Sequence, residues 1–209
     1  MIGTLPPVIL ASQSPRRHSL LRQAITAFEV VPSDATEIHD RSLGPRRLCE
    51  INAQRKAFAV AACHPDHLVI GADTLVFLDG EPLGKPVDLE AAKDMLRRLS
   101  DRAHEVVTGV CLIHKNAARV RLLSECTRVR FRSLTEGDIA EYLARVEVLD
   151  KAGAYALQEE GHRIVAAVEG SHSNVVGLPV EALRRALERW NDPESPATSF
   201  VAAPGPPHR

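Results

Sequence analysis

The sequence contains no CxxC pair, no internal repeat and no apolar run approaching the roughly 20 residues of a membrane span. Its cysteines, Cys49, Cys63, Cys111 and Cys126, stand far apart, which argues against zinc or disulfides and leaves free structural thiols as the expectation. The histidines are scattered too, and most are expected on the surface. Aromatic residues make up only 4% of the chain, leaving little to stack on the bases of a nucleic acid. A net charge of −1 argues against general affinity for nucleic acid or an anionic membrane, so any anion site has to be local. No charged-then-apolar leader opens the chain, and a cytoplasmic location is expected. What is present is ordinary: 44% apolar and 25% charged residues over 209 positions suit one sizeable core, or a single domain of two lobes. Residues 191–209 are rich in Pro, Ala and Ser with little to bury, and are expected to form a disordered tail.

One stretch breaks a local rule. Val8–Arg17 reads VILASQSPRR. The apolar start predicts a buried strand, and Ser14 followed by Pro15 predicts a helix N-cap with proline in the first helical position. Leu20, Leu21, Ala24, Ile25 and Phe28 continue at helical spacing. Arg16 and Arg17 then fall in the first turn, where the helix already carries partial positive charge and free N–H groups. Either both arginines point into water, or an anion shares the site, and the simplest anion is a phosphate.

Further along, Glu29–Pro32 reads as a short strand and 33–43 as a polar loop containing Glu37. Pro45 to about Ala62 has a helical apolar face, on which spacing reads Lys56 as a solvated lysine. His67–Leu78 is a strand that ends in an Asp79-Gly80 turn. Asp73 stands inside it between apolar neighbours, so its carboxylate is either buried with a task or turned to water at a bulge. Gly71 and Ala72 leave room for a ligand or a backbone to approach. Lys85, held extended before Pro86, is a phosphate clamp or an ordinary loop lysine. Asp88 and Thr135 are predicted to cap helices reaching Leu99 and Arg145, and Glu105–His114 and Arg119–Phe131 form a hairpin around Asn116. Asp150–Tyr155, small and polar, suits a loop lying close to a ligand. A strand at Ile164–Glu169, a turn at Gly170–Asn174 and a helix ending near Trp190 follow.

Six blocks in this order, LASQSPRR, GADT, GKP, LSDRAHEVVTGV, DKAGAYALQ and NVVGLP, resemble the Maf family of nucleoside triphosphate pyrophosphatases, once described as septum-formation inhibitors. The resemblance covers Val8 to Trp190 and implies one Maf-like domain over residues 1–190. The implied fold is α/β, an elongated mixed β-sheet flanked by helices, with two lobes and a central cleft of the Maf/ITPase-like kind. It implies hydrolysis of a nucleoside triphosphate between the α and β phosphates with a divalent metal cation, Mg²⁺ or Mn²⁺, and a homodimer in many members. At matching positions Asp73 is the implied catalytic aspartate, with Lys85 beside it. Ser12, Arg16, Arg17 and Lys56 line the triphosphate, and Glu37 and Asp73 hold the metal. Phosphoryl transfer asks a protein mainly to position groups and neutralise charge, which this set can do.

The resemblance also bears on the base. Members that resemble 7-methyl-GTP pyrophosphatases carry Trp where this chain has Arg16, and an aromatic face suits a cationic methylated guanine. Arg16, Thr74 and Gln158 instead match members resembling dTTP/UTP pyrophosphatases, whose side chains hydrogen-bond a pyrimidine edge. The substrate expected is dTTP and UTP, and modified pyrimidine triphosphates with them. The rivals are a pyrophosphatase for 7-methyl-GTP or another purine triphosphate, and a cell-division regulator that binds nucleotide without turnover. Two departures stand out: His172 replaces a common Tyr, and Arg41–Asn52 lacks the usual aromatic and Leu-Ala pattern.

Overall fold

The structure, a computed structural model, describes residues 4–40 and 42–192, so the expected tail lies almost wholly outside the described residues. A seven-stranded sheet runs in the order β2-β1-β3-β5-β6-β7, with β4 also paired to β3. The strands are β1 (Val8–Leu10), β2 (Glu29–Val30), β3 (Leu68–Leu78), β4 (Glu81–Leu83), β5 (Ala103–His114), β6 (Arg119–Phe131) and β7 (Val165–Glu169). β1 is parallel to β2 and β3, and every other pairing is antiparallel, which makes the sheet mixed. β3 meets β5 along nearly its whole length, from Val69 to Phe77. On its other edge β1 covers Val8–Leu10 against Leu68–Ile70, and β4 covers Val76–Leu78. Between those partners the edge has a gap at Gly71–Leu75. Asp73 and Thr74 lie in it, so Asp73 belongs to a central strand and not to a bulge.

The gap divides the apolar packing into two ends. On one side α1 (Pro15–Leu21) and α7 (Val180–Glu188) close over β1 and the first half of β3, with Leu21, Leu183 and Trp190 buried among them. On the other, α3 (Leu89–Leu99) and α4 (Glu136–Arg145) pack with Val76, Leu78 and Phe131. All three caps expected from sequence are formed: Ser14 accepts the Arg17 N–H at 3.5 Å, Asp88 accepts the Ala91 N–H at 2.7 Å, and Thr135 and Asp138 make a reciprocal capping box. α1 stops at Leu21, sooner than its apolar spacing predicts. Ala24, Ile25 and Phe28 still pack against the same core, reached by turns rather than by helix.

The long helix α2 (Pro45–Cys63) lies across the opposite face of β3 and β5, and glycine sets how close it comes. A Cβ on Gly71 would stand 2.4 Å from the Ala53 carbonyl oxygen, and one on Gly109 would stand 2.4 Å from the Cys49 carbonyl. The small residue beside Asp73 therefore admits a helix backbone. Gly109 pairs directly with Asp73 across the strands, so both glycines draw α2 down around that carboxylate. Gly109→Ala is expected to cost about 1–3 kcal/mol through overpacking, read by urea unfolding, and to lower activity by lifting α2. An alanine variant of wild-type stability would show that the helix has slack.

Sequence reading missed two short helices, α5 (Gly161–Ile164) and α6 (His172–Val176). Each is too short for a hydrophobic period to mark it, and α6 is nucleated by Ser171, which accepts the Asn174 N–H. The cysteines are all free, as expected. His104 departs from the surface pattern. It is 3% exposed, its Nε2 lies 2.8 Å from the Tyr155 hydroxyl, and its ring meets Phe131 and Tyr155 edge to face. Burial lowers its pKa from 6.5 to about 4. A base depressed in the folded state binds protons better when unfolded, so its contribution is complete above pH 6.5 and is lost as pH falls towards 4. The difference amounts to about 3 kcal/mol. His104→Gln is expected to flatten the stability curve in that window, and an unchanged slope would assign it to other groups. No helix of the described residues is long and apolar enough to cross a membrane.

Candidate active site

The gap in β3 opens into a cavity of about 730 Å³ that runs between the two ends of the molecule. It lies beyond the C-terminal end of β1, a usual place for a ligand in a sheet with parallel strands. All nine residues singled out from sequence line it: Ser12, Arg16, Arg17, Glu37, Lys56, Asp73, Thr74, Lys85 and Gln158.

Its centre is an ion triad. Lys56 Nζ donates to Asp73 Oδ1 and to Glu37 Oε1, each at 2.6 Å. The Lys56 side chain is 14% exposed and that of Asp73 only 4%. Spacing misread this lysine because a helical pattern registers which face is apolar, whereas Lys56 extends its stem along that face to reach the strand. Burial pushes the Glu37 carboxyl up, but the charge and hydrogen bond of Lys56, then Lys85 and Arg17, outweigh it and hold the group below its ordinary value.

The two arginines have different surroundings. Arg17 donates from Nε to the Gly177 carbonyl at 2.9 Å, from Nη2 to Thr74 Oγ1 at 3.0 Å and from Nη1 to Ser12 Oγ at 3.3 Å. Burial lowers its pKa, opposed by the nearby Asp73 and Glu37 charges. Its partners are neutral, so the positive charge at the start of α1 is held in place without being cancelled. Arg16 instead pairs with Asp150 at 3.0 Å, where both side chains reach solvent. The in-chain carboxylate relieves part of the conflict seen in the sequence.

Thr74 Oγ1 already has Arg17, Thr108 and the Gly177 carbonyl as partners. Lys85 and Gln158 are exposed at the rim. The small Asp150–Tyr155 segment is explained partly by packing, because a Cβ on Gly153 would meet the Val76 side chain at 3.0 Å. Sequence reading passed over Asn52, which is 1% exposed and donates to Asp73 Oδ2 at 3.2 Å. An asparagine buried on the helix that carries Lys56, one turn before it, was the available signal.

Among the described residues no group of three or more His, Cys, Asp or Glu could hold a metal ion. What the cavity offers at its centre is two carboxylates converging on one ammonium. That oxygen-only set fits a hard divalent cation that takes one or two protein carboxylates and completes its shell with water and phosphate oxygens.

The family profile described as Maf-like protein matches residues 7–190. A dTTP/UTP pyrophosphatase of Akkermansia muciniphila is 50% identical over 183 residues, covering 88% of this chain and 96% of its own length. One from Bacillus velezensis is 45% identical over 184 residues, with the same two coverages of 88% and 96%. Among solved structures, the Ham1 protein of Staphylococcus aureus superposes with a TM-score of 0.53 at 18% identity, over 87% of this chain and 98% of that one. A HAM1 protein from Coxiella burnetii gives 0.51 at 15% identity, over 88% and 98%. At such identities these two establish a shared fold.

Proposed function

The chain belongs to the Maf-like protein family, and from that membership we propose that it hydrolyses dTTP and UTP to the monophosphate and pyrophosphate. The observation that carries the reading is the Lys56–Asp73–Glu37 triad, built on the buried Asp73, in a cavity that Arg16, Arg17 and Lys85 also line. In it, the cations oppose the triphosphate charge and bring the α phosphate to Asp73. Asp73, fixed on both oxygens, orients the attacking water and takes up its proton. A divalent cation, Mg²⁺ or Mn²⁺, held by Glu37 and Asp73 would supply charge neutralisation on the phosphate oxygens. Lys85 at the rim meets the departing pyrophosphate. Arg16 and Gln158 face the base, and Thr74 holds Arg17 in register. We place the enzyme in the cytoplasm, with the free nucleoside triphosphates, as a homodimer.

Pyrophosphate release from a panel of nucleoside triphosphates with Mg²⁺ or Mn²⁺ tests this reading. Turnover is expected with dTTP and UTP, and equal turnover of dTTP and 7-methyl-GTP would overturn the pyrimidine assignment. Arg16→Trp supplies an aromatic face in place of a guanidinium. It is expected to move the ratio of 7-methyl-GTP to dTTP turnover up by about 3- to 30-fold. An unchanged ratio would remove Arg16 from base selection.

A further inference from the structure

Asn52 has no part in the chemistry above, yet it is bonded on every side. Its Nδ2 donates to Asp73 Oδ2 at 3.2 Å and to the Ile38 carbonyl at 3.1 Å, while its Oδ1 accepts the Ile38 N–H at 2.8 Å. The orientation of the amide is fixed by these partners, since a flip would set its oxygen against two acceptors. Asparagine can satisfy both backbone groups of one residue and keep an N–H for a carboxylate without bringing charge. Ile38 follows Glu37 in a stretch, 31–40, that has no helix or strand to hold it. Asn52 and Lys56 are one turn apart on α2 and reach opposite oxygens of Asp73.

We propose that Asn52 is a positioning residue, fixing the spacing between Glu37 and Asp73 on which the function proposed above rests. The Lys56 link is electrostatic, and a cation or phosphate entering the triad competes with it. Asn52 brings no charge of its own and also holds both backbone groups of Ile38, so it keeps the two carboxylates in register when a cation or phosphate displaces Lys56.

The test uses the full chain and two variants. Asn52→Leu removes every bond at similar size. Asn52→Asp keeps the acceptor for the Ile38 N–H and loses both donors. With Asn52→Leu, Ile38 amide exchange is expected to quicken, and kcat for dTTP and Mn²⁺ affinity without nucleotide are expected to fall about 10- to 100-fold, with KM moving far less. Asn52→Asp, which keeps the Ile38 N–H bond but sets a second carboxylate against Asp73 Oδ2, is expected to leave Ile38 exchange slower than in Asn52→Leu and still to lose kcat. A folded variant with wild-type kcat and Mn²⁺ affinity, whatever its Tm, would reduce Asn52 to a structural residue and overturn the inference. If the wild type released pyrophosphate from no nucleotide, the functional reading would fail by itself, and Ile38 exchange with Mn²⁺ affinity would still decide the role of Asn52.

Discussion

Asp73→Asn is expected to lower kcat for dTTP by about 10²- to 10⁴-fold, the range associated with losing a positioned proton acceptor. The substitution keeps the shape of the side chain, and its remaining oxygen can still accept from Lys56, which also keeps Glu37 as a partner. The new amide nitrogen would face the Asn52 donor that now serves Asp73 Oδ2, at a cost of about 1–3 kcal/mol. Stability should therefore fall modestly and the fold should survive. Nucleotide affinity should hold or improve, because one negative charge leaves the neighbourhood of three phosphates. Pyrophosphate release under saturating dTTP, beside a direct binding measurement, separates these effects. A kcat within tenfold of wild type would mean that another group handles the water.

The sequence carried the elements far better than it carried their contacts. Ser14-Pro15, Asp88, Thr135 with Asp138 and Asp79-Gly80 act within a turn of themselves, so their residue types were enough to mark boundaries. Asp73 was legible as an anomaly because a carboxylate inside an apolar strand has to be accounted for. Lys56 was not, since its role depends on how near α2 approaches β3, and Gly71 and Gly109 set that distance from a different part of the chain. Asn52 was hidden for the same reason: its partners, Ile38 and Asp73, lie in a loop and a strand that only the folded chain brings together. The pairing of Arg16 with Asp150 spans 134 positions, beyond any local pattern. Asp150–Tyr155, read as a ligand-approaching loop, does line the cavity, but the reason for Gly153 lay out of local reach, since it also makes room for the Val76 side chain of a distant strand.

Lys56→Gln is expected to destabilise the metal-free protein by about 3 kcal/mol, the low end for breaking a buried ion pair. The low end applies because Glu37 keeps 35% of its side-chain exposure, although Asp73 at 4% keeps almost none. Two carboxylates would then face each other with no cation between them. The pH dependence follows from Glu37. Its pKa lies below the ordinary 4.5 in the folded protein because Lys56 outweighs its burial, so its stabilising contribution is present above 4.5 and is lost as pH falls through the folded value. The variant lacks that contribution, and its deficit against wild type is therefore largest near neutral pH and shrinks on acidification. Divalent cation should act in the opposite sense. An ion that replaces the ammonium between Glu37 and Asp73 adds about 2.7 kcal/mol when present at a hundredfold over its Kd, and it should rescue the variant more than it stabilises the wild type. Urea unfolding with and without Mn²⁺, across the acid range, measures all of this on a protein that need not turn over. Equal Mn²⁺ stabilisation of both proteins would show that the cation does not compete for the place Lys56 holds, and would move the metal site away from the triad.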